Sequence, residues 1–128
     1  MTIFALPVSL AFVINLTLAI FVFLYDPRRL VNRLFGLFVF SFAIWNLGEF
    51  IMIISSADAI TLWGIRLILF GMFLSPAFFL HFSLIFPRRI RLPILEKLEL
   101  IPIYTVPVFL FLISIWGTHI EIHRIPEL

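Results

Sequence analysis

The sequence predicts an all-α integral membrane protein: four transmembrane helices in an up-down bundle with both termini outside. Three observations lead there. Of the 128 residues, 63% are hydrophobic and 12% charged, and the mean hydropathy is +1.21. A water-soluble chain this short cannot hide so much apolar surface. Four apolar stretches, residues 3–25, 34–54, 60–86 and 100–116, reach or approach the ~20 residues that cross a bilayer. Positive charge is confined to alternate gaps. Arg28, Arg29 and Arg33 occupy 26–33, and Arg88, Arg89, Arg91 and Lys97 occupy 87–99, whereas 55–59 has no basic residue.

The gaps orient the spans. Short loops rich in Lys and Arg stay cytoplasmic, so 26–33 and 87–99 are expected inside and 55–59 outside. Arg28, Arg29, Arg33, Arg88, Arg89 and Arg91 are thus read as topology-determining, and the basic balance as headgroup anchoring, with no nucleic-acid partner. Trp and Tyr favour the membrane interface. Trp63 and Trp116 fall at the expected outer ends of spans three and four, and Tyr25 and Tyr104 near inner ends.

Span one starts without basic residues and is too long for the core of a cleaved leader, so it is taken as a permanent span. Pro7 and Pro102 suit first helical turns. Pro76 and Pro107 sit deeper and should kink their helices unless neighbours satisfy the freed carbonyls. A short amphipathic piece is expected over 92–100, lying on the inner surface before span four, the shortest of the set.

Ionisable groups inside a bilayer are costly and usually find a partner. Glu49 in span two and Arg66 in span three lie at similar distances from the outer turn. At about 1.5 Å per residue they share a depth, which suggests an intramembrane ion pair. The alternative has Arg66 reaching to headgroups and Glu49 protonated or bonded to Asn46. Gly64, Gly71 and Ser75 recur at helical spacing in span three and permit close helix approach, with Arg66, Phe73 and Ala77 on roughly the opposite side. Asn15 and Asn46 read first as interhelical hydrogen-bonding groups.

His81 and Asn46 are candidate ligand or sensing residues. His81 could ligate a haem or chlorin, although a histidine near a helix end more often bonds a neighbour. No other cofactor is expected. His119, Glu121 and His123 at alternating positions share a face on a strand, but a fourth ligand is missing, so no metal site is assigned and a solvated outer turn is preferred. The sequence has zero cysteines. No phosphate-binding, dinucleotide or hydrolase motif is present, and no enzymatic activity is expected.

Four runs carry a family likeness: Asn32-Arg33-Leu-Phe-Gly36, Trp45-Asn46-Leu-Gly48-Glu49, Trp63-Gly64-Ile-Arg66, and Pro76-Ala-Phe-Phe-Leu-His81 continuing to Phe86-Pro87-Arg88. Over about residues 25–89 the sequence resembles the N-terminal seven-helix sensor region of bacterial and archaeal membrane histidine kinases. The resemblance implies an N-out bundle in a prokaryotic plasma membrane that takes part in signal transduction. That region has seven spans followed by cytoplasmic signalling domains, and this sequence supplies four. It is therefore expected to be a piece of a longer sensor, or a half-bundle completed by partner helices in a homo-oligomer or larger complex. The alternative is a non-catalytic accessory subunit of a larger membrane assembly, pigment- or haem-containing if His81 ligates. A transporter is a weaker third option.

Overall fold

The computed structural model describes residues 2–86 and 93–124, with side chains for 3–86 and 97–119. It is all-helical: α1 (Thr2–Tyr25), α2 (Leu30–Ile54), α3 (Asp58–Ile85) and α4 (Pro93–Arg124). All four are long and apolar enough to cross a membrane. Helices suit the bilayer because each satisfies its own backbone hydrogen bonds where no water is available.

Helices outrun the apolar stretches. α2 begins at Leu30, four residues before the expected span, because charge ends an apolar run without ending a helix. α4 is continuous from Pro93, so no separate surface piece precedes the span. It also continues through 119–124, where a turn was expected. Pro7 and Pro102 consequently lie inside helices and not in first turns. Arg88, Arg89 and Arg91 lie outside the described residues.

Pro76 cannot donate to the carbonyl of Met72, four residues earlier. The hydroxyl of Ser75 donates there instead, at 3.4 Å. A neighbouring side chain thereby compensates the carbonyl that proline frees inside the membrane.

The helices pack in chain order: α1 on α2, α2 on α3, α3 on α4, with no other pairing among the described residues. Their buried positions are mostly small. Ala19, Ala43, Ala77, Ser41 and Ser75 are buried, and so are Gly36, Gly48, Gly64 and Gly71, while bulky residues such as Phe4, Phe21, Phe109 and Leu112 are exposed. Lipid tails are as apolar as leucine, so large side chains gain little by leaving them. Association depends instead on close backbone approach.

That approach is tightest between α2 and α3. A Cβ at Gly48 would stand 2.6 Å from the carbonyl oxygen of Gly64, and one at Gly64 would stand 2.9 Å from the carbonyl oxygen of Gly48. A Cβ at Gly71 would collide with the carbonyl oxygen of Ser41 and lie 2.9 Å from the Cβ of Trp45. Gly117 has open space. Gly71→Ala should destabilise the α2–α3 pair by about 1–3 kcal/mol, the usual cost of overpacking. Gly117→Ala should be neutral or stabilising by up to about 1 kcal/mol, because only helix propensity changes there. Reversible unfolding in mixed micelles, followed by circular dichroism, measures both.

Candidate functional site

The polar and aromatic groups of the membrane interior collect around α3. Its Gly64–Gly71–Ser75 stripe faces α2, and an aromatic face continues along that seam. Phe35 meets Phe82 with ring centroids 5.8 Å apart, and Phe38 meets Phe79 at 5.5 Å. Phe38 also packs edge-on to Phe42, which stacks on Trp45. The ladder ends in a polar contact, where the indole N–H of Trp45 donates to Glu49 at 2.9 Å. One helical turn separates these two residues, so the pairing is built into the local sequence.

Arg66 has a different neighbourhood. Its guanidinium carbon lies 5.1 Å from the ring centroid of Trp63, a cation–π contact, and its Nε is buried with no hydrogen-bond partner. Among the described residues, Glu49 and Arg66 have separate partners and not each other. Depth alone suggested the pair, and azimuth separates it. At about 100° per residue, Arg66 points some 200° away from Gly64, which faces α2. Asn15 and Asn46 have no side-chain hydrogen bond among the described residues.

On another flank α3 meets α4. His81 Nδ1 and the Tyr104 hydroxyl share a hydrogen bond at 2.5 Å, and the two rings stand edge to face. Phe78 packs against Tyr104, and nearer the opposite end of α3 Phe70 packs against Phe111. α3 therefore meets α2 through its glycine backbone, with ring contacts along one edge, and meets α4 through side-chain tips, and the α2–α3 interface is much the more extensive.

The three sequence-singled polar residues are thus not gathered into one cluster. Glu49 closes the aromatic ladder, Arg66 caps Trp63, and His81 joins α3 to α4. Trp45 and Tyr104 are hydrogen-bonding neighbours of Glu49 and His81 that sequence reasoning did not assign. The Trp45–Glu49 spacing was available as a signal. The His81–Tyr104 contact, 23 residues apart, needed the pairing of α3 with α4. No group of metal-ligating side chains occurs among the described residues.

A family model for the N-terminal 7TM region of histidine kinase matches residues 7–125. The chain belongs to that family. The match extends past the residues 25–89 that carried the resemblance and takes in α1 and α4. No curated protein and no solved structure matches the chain. Within this histidine kinase 7TM region, the described helices make it an integral membrane protein in contact with lipid.

Replacing Trp45 by Phe removes the donor to Glu49 and should cost about 1 kcal/mol of bundle stability, the scale of a hydrogen bond inside a membrane protein. Glu49→Gln keeps an acceptor and should cost less. Exchanging the charges, Glu49→Arg with Arg66→Glu, should recover none of the loss of the two single changes. Chemical unfolding of the five variants in one detergent checks the ranking.

Proposed function

We propose that this chain is the membrane input element of a prokaryotic signalling receptor, in which α2 and α3 act as one rigid body and α4 as the part that moves. Family membership is the observation that carries the sensory role. The contrast between the two α3 interfaces supports the division of labour. Backbone-to-backbone contact has few alternative arrangements, because a shift of either helix drives one main chain into the other. Among the described residues, the α3–α4 contact includes rotatable aromatic side chains and the His81–Tyr104 hydrogen bond, which can re-form in a second arrangement.

A stimulus that favours one arrangement of α4 shifts the balance by its differential affinity for the two. The His81–Tyr104 bond then serves as a latch. In this reading the N-terminus and the end of α4 face outward, and the arginine-bearing connection between α1 and α2 lies in the cytoplasm of a cell whose plasma membrane holds the protein. Catalysis resides in kinase machinery to which this region is coupled. The small-residue seams suit packing against further helices, whether from the same polypeptide or another copy.

Two measurements test the reading. With zero native cysteines, Ser56→Cys introduces a single thiol. A membrane-impermeant maleimide should label it in intact cells, and labelling only after lysis would reverse the orientation. In membranes containing the coupled kinase, His81→Ala and Tyr104→Phe should each change basal autophosphorylation by about fivefold in the same direction, as loss of about 1 kcal/mol from one state implies. The double variant should change it no further than either single one. Additive or opposite effects would remove the latch from the mechanism.

A further inference from the structure

An apolar groove of about 260 Å³ runs between α1 and α2 on an exposed side of the pair. Ala19, Phe23 and Leu24 line it from α1, and Gly36, Leu37 and Phe40 from α2. Gly36 lies at its floor, where α1 comes close: a Cβ there would meet the carbonyl oxygen of Ala19 at 3.4 Å and the Cβ of Phe23 at 3.6 Å. Among the described residues, no polar side chain borders the groove.

The same helical stripe changes character toward the α1–α2 connection. Residues 29, 33, 36, 37 and 40 follow three- and four-residue steps and so share one side of α2 and its entry. Arg33 stands one turn beyond Gly36, and Arg29 is the N-cap residue one turn further. Both are exposed, and Arg28 beside them is exposed too. Helical side chains lean toward the helix N-terminus, which aims Arg33 at the connection and leaves the groove clear. Asp26, the acid of this connection, accepts the backbone N–H of Arg28 at 3.3 Å. Three arginines against one carboxylate leave the mouth of the groove positive.

We propose that the groove is a binding site for an anionic phospholipid of the leaflet next to the α1–α2 connection. One acyl chain lies along Gly36, Leu37 and Phe40, and the phosphate is held by Arg33 and Arg29. The length fits, since the seven helical rises from Arg33 to Phe40 span about 10 Å of helix axis. Charge complementarity selects this occupant over a packed helix. A helix laid along the stripe would cover Arg33 without supplying an anion, and an uncompensated buried guanidinium is costly. Guanidinium groups bind phosphate bidentately, so the headgroup gains geometry as well as charge.

The test uses a reporter in the groove. The full chain carrying Phe40→Trp is reconstituted in phosphatidylcholine vesicles with a minor fraction of lipid bearing brominated acyl chains, supplied either as phosphatidylglycerol or as phosphatidylcholine. Emission of the added tryptophan is the difference from the parent chain. Brominated phosphatidylglycerol should quench it with about fivefold to tenfold preference over brominated phosphatidylcholine, the scale expected for one or two arginines near a membrane surface. Arg33→Gln should reduce that preference to about twofold or less, while Arg33→Lys, which keeps the charge and loses the bidentate fork, should fall between Arg33→Gln and the parent. Helix content read by circular dichroism in the same samples separates loss of the site from loss of the fold. Equal quenching by the two lipids, equal loss in both Arg33 variants, or no quenching by either lipid because another helix fills the groove would each overturn the proposal.

Discussion

The contact between the main chains of α2 and α3 is the constraint on which the rest of the structure depends. Inside a bilayer there is no hydrophobic gain in moving a leucine from lipid to protein, so two helices must find another reason to associate. Gly48, Gly64 and Gly71 supply it by removing every atom that would hold the backbones apart. At Gly48 and Gly64 the approach is reciprocal, each glycine lying against the other's carbonyl oxygen. Such geometry also admits weak Cα–H···O hydrogen bonds, which recur at close helix interfaces. Around this pair, α1 packs on α2 at Gly36 and α4 packs along another flank of α3.

The seam also sorts the side chains. With small residues between the helices, the phenylalanines of α2 and α3 are pushed to its edge, where they form the ladder from Phe82 to Trp45. Trp45 then has a fixed ring position and can hold Glu49. On α3, Arg66 points away from the seam and lies over its own helix's Trp63. Among the described residues, Glu49 and Arg66 thus each contact a tryptophan one turn or less away along its own helix, and neither contact involves the other helix. This differs from an interhelical ion pair in its consequences. Removing one charge leaves the other's surroundings intact, and the two helices can shift without breaking a pair buried in lipid.

Much of this was legible in the sequence, because the bilayer reduces the problem to length, hydropathy and loop charge. The four helices and their family followed from composition, from the alternation of arginine-bearing gaps, and from runs such as Trp45-Asn46-Leu-Gly48-Glu49. Span ends were less legible. Arginine and asparagine at 32–33 end an apolar run but can still be helical, so α2 begins at Leu30. Partner choice was least legible. A linear reading gives depth well and azimuth only after one face has been anchored, which is why Glu49 and Arg66 looked like partners. The Tyr104 contact of His81 depends on how α4 lies against α3, a non-local property that periodicity does not encode.

Magic-angle-spinning NMR of the chain in lipid bilayers, with glycine as the sole ¹³C-labelled residue, addresses the seam itself. Only five glycines contribute signals, so the spectrum is sparse. The account predicts a through-space cross-peak between the α-carbon of Gly48 and the carbonyl carbon of Gly64, with its reciprocal partner, at short mixing times. Glycine signals that correlate only within their own residues would mean that α2 and α3 do not meet backbone to backbone, and would contradict it.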